Sequence, residues 1–175
     1  KYGILLISDE VMSGWGRTGK WFAVDNWNVV PDIITTAKGI TSGYMPLGAV
    51  IVSKEIADYF DDHILYAGLT YNGHALSCAA AVATIETYEE ENVFERVDEM
   101  GKYLGEKLEE LKAKHPSVGD VRYIGLFSGI ELVKNRETKE LMNIAPLKDF
   151  LILNGVYVFT FKNILIIAPP LIITK

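Results

Sequence analysis

Asp32-Ile33-Ile34-Thr35-Thr36-Ala37-Lys38-Gly39 is an apolar run that closes on a single lysine, and Gly3-Ile4-Leu5-Leu6-Ile7-Ser8-Asp9-Glu10 is a second that closes on acid. Short apolar runs of this kind read as buried strands of a parallel sheet, so the chain is assigned to the α/β class. In an open α/β sheet the ligand crevice lies just beyond the carboxyl ends of the strands. Asp9 and Lys38 stand at those ends. By themselves they fit either a plain ion pair at a strand edge or a carboxylate and amine that work on a ligand.

The flanking residues choose between the two. After the lysine come Gly43-Tyr44-Met45-Pro46-Leu47-Gly48-Ala49, and after the acid come Gly14-Trp15-Gly16-Arg17-Thr18-Gly19. Thr70-Tyr71-Asn72-Gly73-His74 follows, and Ala168-Pro169-Pro170-Leu171 stands near the end. In this order the four motifs resemble the class III aminotransferases, a pyridoxal-phosphate family of aspartate-aminotransferase-like fold (fold type I). The resemblance covers nearly the whole chain. It implies part of the large-domain sheet, residues 1–90, then an interdomain helix, 91–116, and most of an α+β small domain, 117–175. It also implies an internal piece of a longer enzyme, without the phosphate-cradling loop and the ring-stacking aromatic. Alone, such a piece is expected to be poorly soluble or partly folded, since unpaired sheet edges stay open.

Pyridoxal phosphate needs a lysine for its Schiff base and an acidic partner for its pyridine nitrogen. Lys38 takes the first role, and burial among Ile33, Ile34 and Ala37 is expected to favour its neutral, nucleophilic form. Gly39 is expected to leave room for cofactor and substrate. Asp9 takes the second role. Glu10 points to the opposite face of the strand and is read as structural, whereas Val11 returns to the face of Asp9 and, by resemblance, packs on the ring. Thr70, by resemblance, reaches the cofactor phosphate of a neighbouring subunit, which implies a homodimer with active sites at its interface. His74 is read as a helix-start residue, and three scattered histidines with one cysteine offer no metal-ligand spacing.

Two features separate this chain from parts of the family. Met12 stands where many members carry glutamine and cannot donate a hydrogen bond. The stretch Ile164-Leu165-Ile166-Ile167-Ala168 holds no arginine before Pro169, where several branches grip a substrate carboxylate; Arg122 fits service elsewhere and a domain-level structural role equally well. The expectation is therefore an ω-amino acid or amine donor, as in the taurine and β-alanine branches, with a keto acid such as pyruvate as acceptor. An aminomutase and an inactive truncated remnant are the alternatives. Gly14-Trp15-Gly16-Arg17-Thr18-Gly19 matches the dinucleotide spacing G-x-G-x-x-G, but Lys20 to Asp32 opens no helix, so a nicotinamide oxidoreductase is not favoured.

Composition bounds the rest. With 49% apolar and 23% charged residues the chain is of ordinary globular type. A net charge of −6 offers no basic stripe for nucleic acid. One cysteine, Cys78, fits a reducing compartment and is expected to be packed within a helix; the protein is expected to be cytoplasmic. The apolar run Ile164 to Ile173 is too short to span a bilayer. Val93, Val97, Met100, Leu104, Leu108 and Leu111 recur at spacings of three and four, which predicts a long amphipathic helix capped by Asn92 and ended at His115-Pro116. Strand-like runs from Val121 to Val133 are expected to break at Gly125 and Gly129. A helix over Pro146 to Leu153 and a strand pair turning at Lys162-Asn163 complete the expected pattern.

Overall fold

The computed structural model describes residues 2–175, which divide into two compact units, one ending at Phe94 and the other running from Glu95 to Lys175. In the first, β1 (Ile7–Asp9) pairs in parallel with β2 (Ile33–Thr36), and β3 (Ala49–Val52) joins β2 antiparallel. Both strands of the parallel pair are shorter than their apolar runs. Asp32 is the cause at one end: its carboxylate accepts the Leu6 N–H at 2.7 Å, while the Leu6 carbonyl accepts the N–H groups of Asp32 and Ile33. The ladder therefore starts at Ile7. At the other end β2 stops at Thr36, and Lys38 opens a short 3-10 turn, Lys38–Thr41, rather than ending the strand.

Two helices complete this unit. Ser53 caps α1 (Lys54–Asp62), its hydroxyl accepting the Ile56 N–H. α2 (Ala75–Glu90) is capped by His74, whose Nδ1 accepts the Ser77 N–H at 3.4 Å, the helix-start role expected of it. Ser77, Ala81, Thr84 and Tyr88 form the buried stripe of α2. Cys78 lies one residue off that stripe and is exposed, not packed as expected.

α3 (Val93–Lys114) follows at once, its apolar stripe buried or half-buried and its acidic face in solvent. It begins at the end of the first unit and belongs to the second from Glu95 onward, so the expected interdomain segment is divided at that point. Asn92, directly before α3, also ends α2. Its φ of 50°, a left-handed value that asparagine tolerates, lets it close α2 by donating its N–H to Glu89 O.

In the second unit, β4 (Val118–Ile124), β5 (Phe127–Asn135), β8 (Ile164–Ile167) and β7 (Phe159–Phe161) form an antiparallel sheet in that order, and β6 (Glu140–Leu141) pairs with β5. Ser128, Ile130 and Leu132 alternate inward along β5. Gly129 stays in the ladder opposite Arg122 and Ile166, so only the Gly125 break is realised. α4 (Ala145–Leu153) ends at Gly155, φ 78°, with Val156 N–H on Leu151 O and Gly155 N–H on Ile152 O, a Schellman closure. Leu108 of α3 packs with Val118, Val121, Ile130, Leu132, Ile144 and Leu165 as the core.

Candidate active site

Register decides where the two ionisable strand ends fall. Asp9 pairs with Thr35 across the parallel ladder, and Lys38 follows three residues after Thr35, in the turn just past the end of β2. Both side chains are exposed at the same carboxyl edge, and among the described residues no ion pair joins them. The plain ion-pair reading is thus not realised. The burial expected for Lys38 is also absent in this chain, since Ile33, Ile34 and Ala37 are only half-buried and the lysine lies beyond the strand.

Asp9 and Glu10 take opposite sides, as strand alternation requires. Asp9 Oδ1 accepts the Val11 N–H at 3.0 Å, which turns the chain sharply after β1. Val11 is therefore a half-buried turn residue and not a further strand position on the face of Asp9. Glu10 is 1% exposed and serves as an acceptor hub. Its oxygens receive the N–H groups of Ala23 and Val24, each at 3.0 Å, and the hydroxyls of Ser13 and Ser8. Two of these donors open the 3-10 helix Ala23–Trp27, whose free N–H groups suit a carboxylate.

The glycine loop between them is a packed structure. Trp15, Trp21 and Phe22 meet edge to face, with Trp15 at 6.0 and 5.5 Å from the other two rings. The Trp15 indole N–H donates to Thr36 Oγ1 at 2.6 Å, tying the loop to the end of β2. Trp15 also occupies the space beside Gly39: a Cβ there would lie 2.5 Å from Trp15 Cβ. The room expected at Gly39 for a ligand is filled by protein. Tyr88 reaches the same residue from α2, its hydroxyl donating to Gly39 O at 3.0 Å. Burial raises the Tyr88 phenol above its ordinary pKa, opposed by the Ser42 hydroxyl and by Arg17; burial lowers the Arg17 guanidinium, with Tyr88 opposing. Neither Trp15 nor Tyr88 is marked by spacing alone. A tryptophan between Gly14 and Gly16 was the one visible signal, because a bulky residue in a glycine loop must pack on something.

Thr70 lies exposed on the turn before α2, where Asn72 N–H bonds Leu69 O and His74 N–H bonds Tyr71 O. Met12 is exposed. Arg122 is committed to its own sheet, its Nη1 donating to Asp120 and Glu131 at 3.1 Å each. Among the described residues no cluster of three or more His, Cys, Asp or Glu side chains is arranged to hold a metal, and no helix is long and apolar enough to cross a membrane.

An open carboxylate at the end of β1 and an open amine in the turn after β2 suit a ligand with a basic ring nitrogen and an aldehyde, as pyridoxal phosphate has. Comparison with known proteins points the same way. The family aminotransferase class-III matches residues 1–175. Putrescine–pyruvate aminotransferase of Pseudomonas aeruginosa is 39% identical over 99% of this chain and 39% of its own length. Taurine–pyruvate aminotransferase of Bilophila wadsworthia is 47% identical over 80% of this chain and 32% of its own. The crystal structure of taurine:2-oxoglutarate aminotransferase from Bifidobacterium kashiwanohense, in complex with pyridoxal phosphate and glutamate, superposes with a TM-score of 0.95. It is 51% identical, over 99% of this chain and 41% of that one. The chain thus spans roughly two fifths or less of these relatives. With strand order, strand-end chemistry and a match along its whole length in agreement, the chain belongs to the class III aminotransferases, a pyridoxal-phosphate-dependent family.

Proposed function

We propose that the protein containing this chain transfers an amino group from an ω-amino acid or amine to a keto acid such as pyruvate. The observation that carries this reading is the placement of Asp9 and Lys38 at one carboxyl edge, in register through the Asp9–Thr35 pair and both open to solvent. Pyridoxal phosphate, when bound, supplies an electron sink for the pair left as an α-proton departs. Lys38 holds the aldehyde carbon through its amine and, once displaced by the incoming amine, moves a proton between the substrate α-carbon and the adjoining cofactor carbon. Asp9 keeps a proton on the ring nitrogen. Val11 orients the ring, and the Thr70 hydroxyl binds the phosphate of a neighbouring subunit in a homodimer.

The donor class is supported by the apolar stretch Ile164–Ile167 and by the commitment of Arg122 to Asp120 and Glu131, which leave neither segment a guanidinium for a donor carboxylate. The relatives that act on taurine and putrescine support it too. The test is borohydride reduction of the full-length protein after incubation with pyridoxal phosphate, with peptide mass spectrometry. Stoichiometric label on Lys38 is expected, and absent or scattered label overturns the reading. Taurine, β-alanine and putrescine are then compared with ornithine as donors; a strong preference for ornithine overturns the donor assignment.

A further inference from the structure

Lys38 has φ of 45°, a left-handed backbone that a lysine rarely adopts. Something must hold it there. The turn's own bonds are Ile40 N–H to Ala37 O, Ser42 N–H to Gly39 O and Gly43 N–H to Lys38 O. Two side chains from distant parts of the sequence then grip the next residue from separate directions. Trp15 fills the space beside the Gly39 Cα, anchored by its own bond to Thr36. Tyr88, buried on α2, donates to the Gly39 carbonyl, which already accepts Ser42 N–H.

The direction in which the Lys38 side chain leaves the backbone is set by that turn. We propose that Tyr88, with Trp15 opposite, is a positioning residue that holds the Lys38 turn in its left-handed form and so presents the amine for condensation with the cofactor aldehyde, which forms the C=N link and releases water. This inference rests on the role proposed for Lys38. The part of Tyr88 differs from ordinary packing in one respect: its phenol oxygen holds the Gly39 carbonyl, while its ring carries the packing. Tyr88→Phe separates the two.

The experiment compares full-length parent, Tyr88→Phe and Gly39→Ala proteins. Amide hydrogen exchange over residues 38–43 is followed without cofactor, and borohydride-trapped pyridoxyl label on Lys38 is titrated against pyridoxal phosphate. Tyr88→Phe is expected to keep the parent's circular dichroism, to speed exchange of the Ser42 and Gly43 amides about fivefold, and to raise the pyridoxal phosphate concentration for half-labelling by a similar factor. Gly39→Ala, whose methyl would meet Trp15, is expected to do the same more strongly, and it carries the test if Tyr88→Phe does not fold. Unchanged exchange, or faster exchange with unchanged labelling of Lys38, overturns the inference. An unlabelled Lys38 in the parent overturns the proposed function and this inference together, whereas a labelled parent with an indifferent Tyr88→Phe overturns the inference alone.

Discussion

Trp15 and Gly39 are packed so closely that a Cβ on Gly39 would lie 2.5 Å from the Cβ of Trp15 and 3.1 Å from its indole ring. The contact joins the glycine loop after β1 to the turn after β2, the two segments that carry Asp9 and Lys38. The nearest atom is the Trp15 Cβ, which moves only with its backbone, and Trp15 itself has φ of 58°.

Gly39→Ala therefore cannot be absorbed by rotating a flexible side chain. We expect a loss of about 1–3 kcal/mol, the usual cost of overpacking. Urea denaturation of the full-length protein checks this, and an unchanged midpoint would show that Trp15 yields.

Glu10 should tolerate substitution poorly although it faces away from Asp9. All four of its partners donate to it. Glu10→Gln keeps the shape but turns an amide N–H₂ toward donors, leaving at least one buried N–H or hydroxyl unpaired. A loss of about 2 kcal/mol is expected. The check is again the denaturation midpoint, with Glu10→Asp distinguishing shortened reach from lost charge.

Asp120 links stability to acid. Its carboxyl is held below the ordinary value of 3.8, first by the hydrogen bond from Lys112 and also by the charges of Lys112 and Arg122, against a burial effect that raises it. A lowered folded pKa means that its contribution is fully present above the unfolded value and is lost as pH falls from about that value through the lower folded one. The side chain is 42% exposed, so the contribution is small and screened by salt. Asp120→Asn is expected to lower the neutral plateau slightly and to converge with the parent below pH 4, flattening the profile there, as followed by thermal melts across pH 2–7. A parallel shift of the whole profile would count against the linkage.

Residues whose role depends on near neighbours in the chain were legible without coordinates. The stripe of α3, the start of α2 at His74, the closure of α4 at Gly155 and the opposed faces of Asp9 and Glu10 follow from helical and strand periodicity and from capping chemistry, which act over three or four residues. The strand-end position of Asp9 was legible too, through the apolar run before it, whereas Lys38 falls two residues past the end of β2, in the turn Lys38–Thr41.

What only tertiary structure decided concerns partners far apart in sequence. Gly39 reads as room for a ligand until Trp15, 24 positions away, is seen in that space. A Cβ on Gly101 of α3 would stand 2.7 Å from the backbone of Gly125, so the helix needs glycine there for close approach, a need that no neighbour in sequence signals. The buried carboxylate of Glu10 gains its donors from Ala23 and Val24 only once the aromatic loop folds back. Periodicity records which face of an element is apolar. It holds no record of which distant atom will fill the space beside a given Cα, because that is set by the packing of whole elements against one another.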